Sequence, residues 1–523
     1  TLVETGPVID GDLSDPAWAQ AELIRQFTQL EPDSGQPASE RTEVRLVHDS
    51  ESLYISAYCY DSDPDGVIRN TLRYRDDNVW SKDDVVRFAL DTFHDHRRAY
   101  VFSINPLGTK QDAQVDNNVW NISWDEVSDV RTQIHPDGWS VELRIPLRIL
   151  RFPADGGGVW GFNVQRVIKR KNETASWAPM PTGFSITRAE TFGLLDGISG
   201  IESGRNIQVV PYGLLGGTRS RGVSGVETDL EGGGDLKMSV GSSLSLDLTY
   251  NTNFAQVEAD DQQVNLTRFS LFLPEKREFF LENSQLFDFG IARDTQLFFS
   301  RRIGLANGEA IPILGGARLS GKVGAFDIGV LTTQTEKHPA SPSANLSTGR
   351  IRWNVGARSY IGGMFTSATS DTQSNRAFGQ DALIWLGRNL RAEGFVAVVD
   401  DTIKDQRGFS YSGAVTYDQD LWEASFRTLS VDKDFNPAIG FVRRDNIRRH
   451  TGTLRRSWRL NRSWARRVNF STDLSYLTDQ KNVLDTRQWL FETSSELESG
   501  GVVRFRVSRD FERILAANGP FVI

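Results

Sequence analysis

The sequence has a single cysteine, Cys59, among its 523 residues. This excludes an intrachain disulfide framework and any zinc site built from several cysteines. The six histidines form no H-E-x-x-H or similar ligand pair. No run of 18 apolar residues occurs, so we expect no transmembrane helix. No signal peptide opens the chain, which we expect to be either cytosolic or a mature form after cleavage.

Charge is unevenly distributed along the chain. Residues 1–200 contain 20 Lys and Arg against 31 Asp and Glu, whereas residues 201–523 contain 39 against 37. This difference favours two domains in different environments. Because the whole chain has a net charge of −9 and no basic stripe, nucleic acid is not an expected partner.

Residues 1–200 are predicted to form a β-sandwich. The β-rich segment 53–60 ends in a turn, and in 139–145 the apolar residues alternate with polar ones, as in a half-buried strand. One short helix is predicted over 15–21, with Asp15 as N-cap and Pro16 at its first position. The fold class is therefore all-β.

Residues 201–523 are predicted to form an antiparallel transmembrane β-barrel. Roughly 14 segments, many of about 9–11 residues, alternate apolar and polar residues at the length at which tilted strands cross a bilayer. Examples are 244–250, 468–476 and 503–507. A soluble β-protein would alternate identically and stays as the alternative. Aromatic residues near segment ends favour the barrel, namely Trp353, Tyr360, Trp385, Tyr411, Tyr417, Trp422, Trp458, Trp464 and Trp489.

The cations of residues 201–523 are 32 Arg and only 7 Lys. Guanidinium groups pair with carboxylates, sulfates and phosphates in bidentate fashion. They indicate either a lumen selective for anionic solutes or, as we prefer, a lattice of Arg–carboxylate pairs bracing the inner wall.

A block rich in acids follows the first strands of this domain. Glu258, Asp260, Glu275 and Glu282 are weak candidates for the acid and base of a glycoside hydrolase, which uses two carboxyl groups. A structural network of ion pairs is the alternative that we favour. We therefore lean against an enzyme.

Four tryptophans in polar loops of residues 1–200 are candidates for carbohydrate binding by ring stacking, namely Trp80, Trp120, Trp124 and Trp177. The alternative is that each of them closes one end of the sandwich. Trp18 and Trp139 are expected in the core.

The loop Asp61-x-Asp63-x-Asp65-Gly66 has carboxylates at calcium-loop spacing. The twelfth position is Leu72, so the loop is not an EF-hand. We favour a plain turn, with calcium as the alternative, and expect no other cofactor.

These segments resemble a known combination of domains. Val8 to Trp18, Asp84 to Asp91, Asp137 to Glu142 and Trp160 to Asn163 resemble carbohydrate-binding modules of family nine. Asn253 to Asn265, Pro274 to Glu282 and Phe299 to Gly304 resemble an outer-membrane barrel domain of unknown function that follows such modules in Gram-negative bacteria.

The resemblance implies a carbohydrate-binding-module-like domain at residues 1–200 and a barrel at residues 201–523. Sugar-binding members of the family have a Glu where Arg87 stands, so that sugar contact is absent. Only Trp80 and Trp177 correspond to stacking positions. Relatives continue beyond Ile523, and the terminal aromatic strand is lacking, so we expect the barrel to be incomplete at its C-terminus.

The leading functional hypothesis is a non-enzymatic outer-membrane protein whose sandwich recognises a glycan or a partner protein. The sandwich would lie in the periplasm or in the barrel lumen. A membrane-associated glycan hydrolase is one alternative. The other is a structural or assembly subunit of a cell-envelope complex, in which the sandwich acts as a plug or docking face. The expected partners are carbohydrate, outer-membrane lipid and envelope proteins.

Overall fold

The computed structural model describes two compact units. One consists of Thr1–Asn206 with Ser239–Ser243, and the other of Ile207–Met238 with Leu244–Ile523. The two helices described are short: α1 is Pro16–Ala19 and α2 is Glu278–Leu281. The description covers the chain except residues 68–82, 117, 123, 125, 154–157, 182, 202–206, 219–226, 242, 253–271, 273–274, 282, 307–308, 340, 357, 463, 498–500, 517–518 and 523.

The N-terminal unit is a sandwich of two antiparallel sheets. The smaller sheet has the order β2-β3-β9-β8, and the larger has the order β1-β11-β10-β4-β5-β6-β7, with β12 also paired to β10. The strands are β1 Thr28–Glu31, β2 Thr42–His48, β3 Ser52–Tyr60, β4 Val85–Asp91, β5 Arg98–Ile104, β6 Lys110–Asp116, β7 Val119–Asn121, β8 Asp129–His135, β9 Gly138–Pro146, β10 Val159–Ile168, β11 Glu173–Ser176 and β12 Gly193–Asp196.

The core of the sandwich lies between the sheets and is rich in aromatic residues. Trp139, Phe88, Phe102 and Trp160 are fully buried there. The prediction that β9 is half-buried is wrong, because its polar face is covered as well. Glu142 on that face accepts hydrogen bonds from backbone N–H groups and the indole of the N-terminal segment 10–18.

The C-terminal unit is built around a sixteen-stranded antiparallel sheet in the order β13-β14-β15-β20-β21-β22-β23-β24-β25-β26-β27-β29-β30-β31-β32-β33. Its strands are β13 Ile207–Thr218, β14 Glu227–Val240, β15 Leu244–Thr252, β20 Ile313–Val323, β21 Phe326–Thr335, β22 Asn345–Val355, β23 Ser359–Ser370, β24 Gln373–Leu386, β25 Leu390–Asp401, β26 Gln406–Gln419, β27 Trp422–Val431, β29 Ile447–Arg462, β30 Ala465–Asp479, β31 Leu484–Leu497, β32 Val502–Ala516 and β33 Gly519–Val522. The remaining short strands are β16 Gly290–Ile291, β17 Thr295–Gln296, β18 Leu305–Ala306, β19 Glu309–Ala310 and β28 Phe441–Val442.

The sheet is an up-and-down meander, since the neighbours of each large strand are those next to it in sequence. It is open as described, because within the described part of the chain no pairing joins β13 to β33. Connections at one end are short, such as 324–325 and 420–421, whereas those at the other end include 253–312 and 432–446. Short turns at one end and long loops at the other are typical of outer-membrane barrels.

Candidate functional site

The two faces of the large sheet have the reverse of the usual polarity. In β26 the side chains of Phe409, Tyr411 and Val415 are about half exposed, whereas those of Ser410 and Ser412 between them are buried. A strand of a water-soluble protein buries its apolar residues and exposes its polar ones. This strand does the opposite.

The same reversal recurs in strands far from β26. In β15, Tyr250 is exposed while Asp247 and Thr249 are buried. In β22, the neighbours Ile351 and Arg352 are 49% and 5% exposed, respectively. The apolar face is therefore the outer face of the sheet, and the polar face is the inner one.

Aromatic side chains on the outer face gather at the end with short turns. Phe326, Trp353, Tyr417, Trp422 and Trp458 are all exposed and lie within a few residues of that end. Such a girdle is typical of a membrane interface.

Four of the aromatic residues that predicted the girdle lie elsewhere, and one of them, Tyr411, is within β26 rather than at its end. Tyr360 is on the inner face, where its hydroxyl lies 3.3 Å from Asp381 Oδ2. Trp385 shares the inner side of β24 with Asp381, four residues away, and Trp489 lies within β31 rather than at its end.

Ion pairs brace the inner face, as the arginine content predicts. Arg350 makes two hydrogen bonds of 2.6 Å to Asp381 on the next strand but one. Arg318 on β20 forms an ion pair of 3.0 Å with Asp247 on the neighbouring strand β15. The predicted lattice of Arg–carboxylate pairs is confirmed at these positions. Further pairs on this face join Arg352 to Asp327, Arg427 to Glu393 and Arg506 to Glu492.

A folded segment between β15 and β20 packs against the inner face. We call residues 275–281 and 283–303 the plug. Phe287 and Phe289 of the plug lie against Gly329 and Gly379 of the sheet, where a Cβ atom would come within 2.8 Å and 2.2 Å of the respective rings. These glycines leave the space that the rings fill, and the plug shares one apolar cluster with the inner residues of several strands.

Of the four candidate catalytic carboxylates, only Glu275 lies within the described residues. Its two oxygens accept hydrogen bonds from Arg277, at 2.8 and 2.7 Å. Burial raises the pKa of Glu275, but the bonds from Arg277 and its charge outweigh that effect and hold the pKa below its usual value. Glu275 is therefore ionised and paired, which suits a structural role. Glu258, Asp260 and Glu282 lie outside the described residues.

The sandwich has a polar row on the face of its larger sheet that points away from the core. Gln165, Arg87, Ser103 and Gln111 lie side by side on β10, β4, β5 and β6. Arg87 donates a hydrogen bond of 2.5 Å to Gln165, and burial lowers the pKa of Arg87 to about 10. We call these four residues the polar row. The sequence hid this row because each of its four residues lies on a different strand, so no pattern within one segment reveals it.

Asp91 lies at the end of β4, on the same face as Arg87. Its oxygens accept hydrogen bonds from the backbone N–H groups of Asp95 and His96. Burial, followed by the negative charge of Asp95, raises the pKa of Asp91 to about 7.

The candidate sugar-stacking tryptophans lie in different environments. Trp120 is half-buried against the satellite cluster that contains Ala89, on the same face as the polar row. Trp177 packs beside Phe162 at the edge of the core, with ring centroids 5.8 Å apart. Trp80 lies outside the described residues.

The expectation that Trp124 is exposed is not met. It is 4% exposed and packs against Tyr100 and Phe102, so neither of its ring faces is open to a sugar. The residues of a stacking platform thus reduce to Trp80, Trp120 and Trp177, which stay predictions.

The acidic turn at residues 61–66 forms hydrogen bonds within the protein. Asp61 is buried and paired with Arg166 and Arg170, whereas Asp63 accepts a hydrogen bond from the backbone N–H of Gly66. Asp65 lies in the single turn of 3₁₀ helix that follows. Among the residues that the structure describes, no group of three or more His, Cys, Asp or Glu side chains is placed to hold a metal ion. Calcium binding at this loop stays a prediction.

None of the helices in the described part of the chain has the length and apolar character needed to span a membrane.

Comparison with known proteins identifies two regions. The model of the family described as carbohydrate family 9 binding domain-like matches residues 9–193. The model of a domain of unknown function, DUF5916, matches residues 206–312. A search of curated proteins finds no match.

Solved structures with similarity to parts of the chain include a family 9 carbohydrate-binding module from Caldicellulosiruptor kristjanssonii in complex with cellotriose. It is 20% identical, covers 38% of this chain and 91% of its own, and has a TM-score of 0.27. A BenF-like porin from Pseudomonas fluorescens Pf-5 is 9% identical, and the match covers 84% of this chain and 94% of the porin, with a TM-score of 0.28. OccK2 (OpdF) from Pseudomonas aeruginosa, in complex with glucuronate, is 11% identical. The match covers 82% of this chain and 90% of OccK2, with a TM-score of 0.28.

The chain thus has a carbohydrate family 9 binding domain-like region at residues 9–193, followed at residues 206–312 by a domain of unknown function.

Proposed function

We propose that this chain is a non-enzymatic outer-membrane protein that combines a lipid-embedded β-barrel with a glycan-recognising sandwich. The observation that supports the membrane part is the reversed polarity of the large sheet. Its outer face presents side chains such as Val330, Phe378 and Val415, each about half exposed, in the middle of long strands.

Lipid is the solvent that makes this arrangement favourable. Exposed apolar surface costs about 25 cal/mol per Å² in water, and this cost disappears when hydrocarbon covers the surface. In lipid every backbone N–H and C=O group must be paired, so the proposal requires the two edges of the sheet to be closed. Neighbouring large strands already pair along most of their length.

The turn lengths set the proposed orientation. Outer-membrane barrels have short turns on the periplasmic side and long loops outside the cell. The end of the sheet with the short turns, at which β13 begins, therefore faces the periplasm in this proposal. The plug fills part of the interior.

The glycan part of the proposal rests on the match of residues 9–193 to a carbohydrate-binding family. Sugar recognition requires an aromatic face and polar groups that reach the hydroxyls. The sandwich has Trp120 and the polar row on one face of the larger sheet. Arg87 and Gln165 are hydrogen-bonded to each other there.

A titration of the full chain in detergent with a panel of polysaccharides and oligosaccharides tests glycan recognition. We expect Trp80→Ala, Trp120→Ala or Trp177→Ala to weaken the binding of a recognised glycan at least tenfold. Trp464→Ala, a substitution of an exposed residue of the barrel unit, is the matched control and leaves binding unchanged. Binding like that of the wild type by all three sandwich variants would remove the platform, and no binding by the wild type would refute glycan recognition.

The alternative of a glycan hydrolase has weaker support, because Glu275 is held ionised by Arg277. Its test is turnover of the same glycans by the purified chain, with Glu258→Gln, Asp260→Asn and Glu282→Gln as variants. Turnover that these variants abolish would replace our proposal of a non-enzymatic protein.

A further inference from the structure

A groove crosses the outer face of the sheet from β27 to β32. It has a volume of about 560 Å³ and is lined mainly by apolar surface, including the rings of Phe426, Tyr476 and Trp489. Three basic side chains, those of His450, Arg487 and Arg509, line the same groove. We call this groove the basic groove. Basic residues are unexpected here, because the rest of this face presents mostly apolar side chains.

The strand register places these basic residues outside rather than inside. Tyr476 pairs with both His450 and Arg487 on the neighbouring strands, and Trp489 pairs with Arg509. Directly paired residues of neighbouring strands lie on the same face. The basic side chains therefore share the outer face with these rings.

Inner-face residues of the same strands have partners of their own. Thr453 donates a hydrogen bond of 2.7 Å to Asp473, and Arg506 donates two to Glu492. The groove residues lie on the other face of the sheet from these pairs.

The basic groove has an uncompensated positive charge. Within the described part of the chain, neither Arg487 nor Arg509 forms an ion pair with a carboxylate. Asp485, two residues before Arg487 in β31, is paired with Arg444 and Arg513 instead. An arginine on the lipid face of a barrel is destabilising to an extent that increases with its depth. A bound anion would remove that cost, and phosphate is an anion with which guanidinium forms strong bidentate pairs.

We propose that the basic groove binds a phosphorylated glycolipid, an acylated sugar phosphate of the membrane's outer leaflet. The inference rests on the proposed function, since it requires this face to contact lipid. In this arrangement Arg487 and Arg509 pair with the phosphate, and the rings of Tyr476 and Trp489 pack against the sugar and the first part of the acyl chains. Phe426 and Leu474 continue the apolar surface on which the chains lie.

The height of the groove on the sheet fits this leaflet. Arg487 is three residues after the start of β31, and Tyr476 is three residues before the end of β30. Both positions are near the end of the sheet with the long loops, which is the outer side in the proposed orientation. Headgroup phosphates of the outer leaflet lie at that level.

Native mass spectrometry of the full chain in detergent tests the proposal, with lipid A and its enzymatically dephosphorylated form as probes. The test variant is Arg487→Ala combined with Arg509→Ala. The matched control is Arg504→Ala combined with Arg506→Ala, which also removes two arginines from this part of the sheet but on its inner face. Membrane fractionation of every variant is carried out in parallel.

We expect the wild type to bind lipid A at least tenfold more tightly than the dephosphorylated form. The test variant loses that preference, and the control variant keeps it. Equal affinity of wild type and test variant, or equal affinity for the two lipids, would overturn the groove proposal even if the protein fractionates with the outer membrane. A wild-type chain found outside the membrane fraction would instead overturn the proposed function.

Discussion

The contact between the plug and Gly379 gives a prediction whose size follows from the structure. A Cβ atom on residue 379 would lie 2.2 Å from Cζ of Phe289 and 2.6 Å from Cδ1 of Leu297. Carbon atoms in contact prefer separations of about 3.5–4.0 Å, so Gly379→Ala forces the ring to move by more than an ångström. Overpacking of this kind typically costs about 1–3 kcal/mol. The plug is expected to open more readily by that amount.

Hydrogen exchange of the plug amides measures this opening. A loss of about 1–3 kcal/mol corresponds to exchange about 5- to 150-fold faster over residues 284–299. Gly413→Ala is the matched control, because a Cβ atom there has nothing within 4 Å. Phe289→Ala makes room for the new methyl group, so the double variant Gly379→Ala/Phe289→Ala is expected to deviate from additivity by about 0.5–3 kcal/mol. Unchanged exchange in Gly379→Ala, or strict additivity, would refute docking of the plug on the inner face.

Three further predictions address other parts of the molecule. Folding raises the pKa of Asp91 from 3.8 to about 7. Between about pH 4 and 7 the folded state therefore keeps a proton on Asp91 that the unfolded state has lost, so the N-terminal unit loses stability as the pH rises through this range. The unfolding free energy is expected to fall by up to about 1.4 kcal/mol per pH unit in this range. Asp91→Asn is expected to remove most of this pH dependence in calorimetric unfolding scans. Glu142→Ala leaves the backbone N–H groups of Asp10 and Gly11 and the indole N–H of Trp18 without their acceptor. It is expected to lower the unfolding free energy of the same unit by about 3 kcal/mol or more in urea titrations. A loss below about 1 kcal/mol would contradict the hydrogen bonds described. Val330→Arg in mid-strand weakens folding into lipid bilayers by about 2–4 kcal/mol, and Phe326→Arg at the strand end by at most about 1 kcal/mol. Equal costs at the two positions would argue against a bilayer around this face.

The sequence predicts much of the fold, because strand alternation is a local signal. Segments 244–250 and 468–476 are strands with the predicted apolar faces. It also predicts the sandwich and the inner-face ion pairs. Alternation alone could not decide which face is buried, because a soluble sheet has the same period. That distinction follows from the plug packed against the inner face and from the ion pairs between strands, and both depend on long-range contacts.

The candidate sites were harder to predict. Trp124 looks like a loop residue in the sequence, but it fills the space beside Tyr100 and Phe102, which lie on a strand more than 20 positions earlier. The carboxylates of the 61–66 turn have calcium-loop spacing, but Arg166 and Arg170 reach Asp61 from a segment about 100 residues away. The polar row and the basic groove each combine residues from several strands. Spacing within one segment could not reveal either of them.

Site-directed spin labelling tests the central claim most directly, namely that the apolar outer face of the sheet contacts lipid. Cys59 is the only cysteine, and Cys59→Ala gives a background in which a single label can be placed anywhere. Labels at Val330, Phe378 and Val415 on the outer face are compared in liposomes with labels at Ser412 and Asp473 on the inner face. We predict that the outer labels collide with oxygen far more often than with a water-soluble nickel chelate, and that the inner labels do not. Outer labels with the collision pattern of a water-exposed surface would contradict the account.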